Sequence, residues 1–154
     1  MIQTFVMAEK SKLLLDNEEL TNGFFDDARL LGVVAPIKDY QFCWYLNKLM
    51  NMDLRINQEI CIQLKKKKRN YSFAVYEFEE PTGSLFHYIY NNQFDGEYLL
   101  PEFRHVDFLL MMKGDMVHDI SLHQKIETLR TINGVQLVME LTNEKIEHKE
   151  HLIF

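Results

Sequence analysis

At 154 residues, 47% hydrophobic and 12% aromatic, with six Gly and three Pro, the chain has the size of one domain and enough apolar surface to offset the entropy of folding, which excludes a disordered polymer. A formal net charge of −6 opposes general attraction to nucleic acid or anionic lipid, so any such contact must be local. Cys43 and Cys61 are too few and too scattered for a disulfide framework or a thiolate metal site, and they fit a reducing compartment.

Met1 to Lys10 has no basic flank, long apolar centre or small-residue cleavage site, so no signal peptide is expected. The longest apolar run, Leu30 to Ile37, is broken by Gly32 and Pro36 and is too short to span a bilayer. The ending Leu152, Ile153, Phe154 offers no prenylation cysteine. A cytoplasmic location without membrane attachment is the expectation.

In chain order, Lys12 to Leu15 resembles a short strand and Asp16 to Asn22 a polar connection. Leu30 to Ala35 is a continuous, Val-containing apolar run, as expected of a central strand buried on both faces. Tyr40 to Met50 places Phe42, Tyr45, Leu46, Leu49 and Met50 at helical spacing, with Asp39 as N-cap, so strand followed by helix begins a crossover unit. Ile60, Ile62 and Leu64 alternate with polar neighbours as a half-buried strand, which Lys65 to Asn70 interrupts. Tyr71 to Phe78 and Leu85 to Tyr90 are aromatic and β-branched runs that predict a hairpin, and Asp95 with Gly96 marks a turn.

Val106 to Met112 reads as a further strand, with Val106, Phe108, Leu110 and Met112 on one face, ended by Gly114. A second helix lies within Met116 to Ile132, with Ser121 and Gln124 as a capping box and Asn133–Gly134 as its left-handed C-cap. Val135 to Leu141 alternates as a final strand. The fold class is therefore α+β, a single domain over residues 1–154 with a largely antiparallel sheet of about five to seven strands and two main helices packed against it.

The segment Leu100, Pro101, Glu102, Phe103, Arg104, His105, Val106, Asp107, Phe108 resembles the signature of the IPExxxVDY family, a bacterial group known mainly from the Bacteroidetes. The resemblance extends to the strand at Leu30 to Val34, the helix around Tyr40, Trp44, Leu46 and Asn47, and the Leu152, Ile153, Phe154 ending. It implies no activity. Leu100 stands where Ile is expected and Phe108 where Tyr is expected, and the second departure removes a phenolic hydroxyl, so no acid, base or donor role can rest on it.

Glu102, His105 and Asp107 are residue types that carry acid–base or metal chemistry, and strand alternation puts His105 and Asp107 on one face, about 7 Å apart. The bland reading makes Pro101 and Glu102 shape the strand entry while Asp107 pairs with a neighbouring backbone group or Arg. Lys65, Lys66, Lys67, Lys68 and Arg69, with Tyr71 and Phe73 close by, form a basic hairpin tip that can contact phosphates, or a solvated turn that deters edge association. The His118/His123 and His148/His151 spacings do not suggest a metal site. Cys43 reads as core, and Trp44 with Tyr45 as sheet packing or a face for a partner.

No phosphate loop, nucleophile elbow or zinc-protease motif is present, and no cofactor is implied. The expected function is a non-enzymatic domain acting through protein or small-ligand contacts, at the aromatic strands 71–90 or the surface near Glu102 to Asp107, with a homodimer among its arrangements. The alternative is a nucleic-acid-associated accessory protein binding through Lys65 to Arg69. A second alternative is an enzyme centred on Glu102, His105 and Asp107.

Overall fold

A computed structural model describes residues 18–115 and 117–154; the strand expected at Lys12 to Leu15 lies outside them. Residues 18–25 are helical (α1), where a polar connection was expected, and Phe25 is buried. Eight strands follow: β1 (Ala28–Val34), β2 (Arg55–Lys66), β3 (Arg69–Glu79), β4 (Leu85–Asn91), β5 (Gln93–Phe94), β6 (Glu97–Tyr98), β7 (Phe108–Gly114) and β8 (Leu137–Glu140). Helix α2 (Asp39–Met50) lies between β1 and β2, and α3 (Asp119–Arg130) between β7 and β8. The main sheet has the order β2-β3-β4-β7-β1-β8 and every pairing in it is antiparallel, as the α+β reading requires. β5 and β6 form a separate small ribbon.

Alternating pairings make β1 and β2 run parallel with three strands between them, and β7 and β8 parallel on either side of β1. Each helix is thus a crossover, and both cross the same face. Leu31, Val33, Phe108, Leu110, Met112 and Ile89 point into that face and meet Phe42, Cys43 and Leu46 of α2 and Leu122 and Leu129 of α3. Phe42 and Phe108 stack with ring centroids 4.5 Å apart.

The opposite face carries a second core of Leu30, Tyr71, Phe73, Val75, Tyr88, Tyr90, Leu109 and Met111. It is covered by Phe25, by Leu99, Leu100 and Val106 from the chain between β4 and β7, and by Leu141, Ile146 and Leu152 from the C-terminal tail. The aromatics of residues 71–90, expected to offer a recognition surface, are therefore core: Tyr71, Phe73, Tyr76, Tyr88 and Tyr90 are all buried. Where the sheet is covered on both faces, as along β4 and β7, successive strand side chains are buried whichever way they point.

Local details depart from the sequence reading in three places. Asp39 is the first helical residue of α2 and Lys38 the N-cap, whose N–H donates to Gln41 Oε1 at 3.2 Å. Helix α3 starts at Asp119, because Arg29 holds Asp119 Oδ1 at 2.8 Å and the Val117 carbonyl at 3.0 Å, so Ser121 lies inside the helix and caps nothing. Arg29 also makes a bidentate contact to Glu140 and so ties β1, β8 and α3 together. The helix ends at Thr131 without a glycine cap, and Asn133–Gly134 instead sits in the following turn, closed by Val135 N–H on the Ile132 carbonyl.

Candidate functional site

The segment joining β4 to β7 holds the motif residues. Asn92, fully buried, organises it: its amide donates to the Phe103 and Val106 carbonyls at 2.8 and 2.9 Å, and its oxygen accepts from Leu100 N–H at 2.8 Å. Its own N–H donates to the Asp107 carbonyl and its carbonyl accepts from Leu99 N–H. Leu100 and Val106 are thereby pinned in the core, and Pro101 opens a 3-10 turn, Pro101–Phe103, where its missing N–H costs nothing.

Glu102 leaves that turn to hold the C-terminal tail. Its Oε1 accepts from the N–H groups of Glu147 and His148, both at 3.0 Å, and its Oε2 lies 2.8 Å from His148 Nδ1. Burial alone would raise its pKa, but these hydrogen bonds, with one from its own N–H, favour the ionised form more strongly and lower it. Tyr90 Oη donates to the Leu152 carbonyl at 2.9 Å and His151 Nδ1 sits 2.7 Å from the Leu99 carbonyl, which completes the latch.

Asp107 Oδ2 accepts from Ala35 N–H at 2.7 Å while Asp107 N–H donates to the Val33 carbonyl, so this carboxylate extends the β1–β7 ladder past its last rung. The expected strand start at Val106 is corrected to Phe108, and the expected shared strand face of His105 and Asp107 does not form. His105 lies on an exposed turn against the Phe103 ring. Val106 also changes side: placed ahead of the strand, it packs with Leu109 and Met111 and not with Phe108, Leu110 and Met112. The motif thus gathers structural contacts, two carboxylates each engaged by main-chain donors.

The basic residues form the end of an arm. β4 pairs with β3 only from Val75 to Glu79, whereas β2 and β3 stay paired from the Cys61↔Ala74 rung to Lys66↔Arg69, so the lysine run continues the strands and does not interrupt them. Lys67 and Lys68 alone make the turn, both left-handed, with φ of 50° and 64°. This is the backbone of a type I′ turn, which favours Asn-Gly. Register sorts the arm into two faces: Ile62, Leu64, Tyr71, Phe73, Lys66 and Arg69 inward, and Cys61, Gln63, Lys65, Asn70 and Ser72 outward, the latter five all exposed.

On the inner face Lys66 pairs with Glu97 at 3.4 Å and Arg69 with Asp95 at 2.9 Å, which clips the arm to the β5–β6 ribbon. Phe94 on that ribbon sets its ring edge-on to Phe73, 6.1 Å away, and remains 48% exposed. Lys65, Lys67 and Lys68 carry no ion pair among the described residues. Three extra residues between the Ile56↔Tyr76 and Cys61↔Ala74 rungs bulge the outer strand, which with the lysines blunts its open edge.

Helix α2 presents the third candidate. Its inner face is fixed by Phe42, Cys43 and Leu46, and by Asp39, whose Oδ2 accepts from Tyr76 Oη at 2.9 Å and Asn91 Nδ2 at 3.1 Å. Burial pushes the Cys43 thiol up to about 12, with the Asp39 charge adding to it, so this sulfur is a core atom and not a nucleophile. On the outer face Tyr40 is 64% and Trp44 55% exposed, and Lys48 lies over the Trp44 ring at 4.8 Å. Residues 40, 44 and 48 form one i, i+4, i+8 stripe with no acidic member.

A small cleft of about 260 Å³ between the β3–β4 loop and α3 is lined by Glu80, Ser84, Asp115, Ser121 and Lys125. Beneath it His87, fully buried, reaches Glu80 Oε1 through Nε2 at 2.9 Å, while its Nδ1 has no hydrogen-bond partner among the described residues. No helix among the described residues is long and apolar enough to cross a membrane. Compared with the models of known protein families and with curated proteins, the chain matches none.

Proposed function

We propose that this chain is a non-catalytic cytoplasmic domain that works by binding polypeptide, that the outer face of α2 is its contact surface, and that a second copy of the chain is its occupant. Residues 100–108 are then the architectural signature of the IPExxxVDY family that the chain resembles. The observation that carries the reading is Trp44, the chain's only tryptophan, in the middle of the solvent face of a helix whose other face is locked to the sheet. Trp and Tyr on a rigid support are what interface hot spots are made of. Lys48 already restricts the Trp44 ring, so less side-chain freedom is lost on contact.

Self-complementarity favours the second copy. An antiparallel two-fold pairing of α2 centred on Trp44 sets each Tyr40 ring opposite the other copy's Lys48, with no acidic group to repel and the two ammonium groups far apart. Against this, the acid–base reading has little to draw on, since Glu102 and Asp107 are spent on main-chain donors.

The patch is small, so the expected dimer dissociates at roughly 10–100 μM. Equilibrium sedimentation across that range should give a monomer–dimer isotherm, with Trp44 emission moving to shorter wavelength as dimer forms. Trp44→Ala should be monomeric with an unchanged melting temperature. A wild type that stays monomeric, or a dimer that survives the substitution, removes the proposal.

A further inference from the structure

The arm carries features that its ion pairs and the protection of its edge do not account for. Of the net charge of −6, the five residues Lys65 to Arg69 supply +5, so the rest of the chain carries −11. Two of the five cations are neutralised on the inner face by Asp95 and Glu97, and those pairs stiffen the base of the tip. What remains is a projection bearing three ammonium groups without an ion pair among the described residues. The chain also keeps lysine at both left-handed turn positions, where asparagine and glycine sit without strain. Strained backbone retained at a charged, exposed tip points to use of those side chains.

Phe94 is the second, independent feature. Its ribbon is clipped to Lys66 and Arg69 at the base of the tip, its inner edge meets Phe73, and nearly half of its surface is left to solvent on the inner side of the arm. An exposed ring on a ribbon clipped to the base of a cationic tip matches one ligand chemistry well: a strand that runs its phosphates over the tip and sets one unstacked base on the ring. The strongly acidic remainder repels a long duplex lying against the body but leaves a short single strand free to cross the tip.

We infer that the β2–β3 arm is a single-stranded nucleic-acid site, in which Lys67 and Lys68 take successive phosphates, Lys65 adds its charge from the outer face, and Phe94 stacks one base. The contacts invoked are to phosphate and ring, so the site is expected to read backbone and ring and not sequence.

The test uses the full chain and a fluorescein-labelled oligo(U) of about 12 nucleotides, followed by anisotropy at several salt concentrations. Three phosphate contacts predict a slope of roughly −2 for log K against log salt. Lys67→Asn combined with Lys68→Gly installs the preferred turn pair, so it should raise the melting temperature while weakening binding by about tenfold or more. Phe94→Ala should also weaken binding about tenfold, with the fold kept, since its ring is half exposed and its ring contact is one edge-on meeting with Phe73. Absence of binding at low salt, or binding unchanged in both variants, overturns the assignment. Equal competition by polyglutamate or by phosphatidylserine vesicles would show a general polyanion surface and overturn it too, as would a duplex that binds as tightly as the single strand.

Discussion

Replacing Asn92 tests whether one buried amide holds the motif segment in place. In Asn92→Ala the Phe103 carbonyl keeps a partner in Val106 N–H, but Leu100 N–H and the Val106 carbonyl lose theirs where no solvent reaches. Each orphaned group costs about 1–3 kcal/mol, and water entering the space left by the amide recovers part of it, so the expected loss is about 3 kcal/mol. For a chain of this length that corresponds to a melting point lower by roughly 6–12 °C. Asn92→Asp is the sharper control, because it is isosteric and keeps the acceptor for Leu100 N–H while turning an oxygen toward two carbonyls. At pH 7 it should cost at least as much as alanine. The introduced carboxyl has its pKa raised by burial, so its penalty should shrink as pH falls and the group is neutralised. Urea unfolding followed by circular dichroism at pH 7 and pH 5 measures both effects. An Asn92→Asp protein within about 1 kcal/mol of wild type at pH 7 would refute the assignment of Asn92 as the organising residue.

Three further outcomes follow from the same contacts. Glu102 has a carboxyl lowered below its ordinary 4.5, so its contribution is in place above that pH and is lost as pH falls through the lower folded value; Glu102→Gln should cost about 1–2 kcal/mol at pH 7, flatten the acid limb of the stability curve, and speed amide exchange in residues 146–154. His87 is shifted the other way from a paired histidine: burial, with Lys125 adding to it, outweighs Glu80 and lowers it below 6.5, so stability is full above 6.5 and declines beneath it as the unfolded chain takes up the proton first. His87→Phe should remove that decline, read as equal melting temperatures at pH 7.5 and about 5.5. Gly114 has φ of 131°, and a Cβ there would stand 2.2 Å from the Ser84 carbonyl oxygen, so Gly114→Ala should lower stability by about 3 kcal/mol or more in a urea titration.

The parts of the fold visible in the sequence are those where one local signal stands uninterrupted, whether a periodicity, a continuous apolar run or a pair of turn residues. The Leu30–Val34 run, the β3–β4 hairpin, the Asp95–Gly96 turn and the inner face of α2 all reported themselves this way. β2 was legible only in its second half, since the bulge after Ile56 breaks alternation, and its turn was disguised because lysines occupy positions that usually announce themselves as Asn-Gly. Val106 was assigned to the wrong face because alternation was extended back past the strand's first residue.

Of the candidate surfaces, the cations and Trp44 were plain in the sequence, but their settings were not. The Lys66–Glu97 and Arg69–Asp95 pairs join residues about 30 positions apart, a separation that local pattern cannot see. Asn92 and Arg29 gave no periodic signal at all. Each acts through partners supplied by remote chain.

The placement of β1 also governs how the molecule is made. Its two neighbours are β7, whose rungs pair Ala28 with Lys113, and β8, which pairs Leu31 with Glu140. During synthesis this largely apolar strand must therefore wait, unpaired, until residues 108–114 have left the ribosome. Closing such long loops before any rung forms makes for slow, late condensation, and it leaves Leu30 to Val34 exposed to chaperones for most of the nascent chain's life.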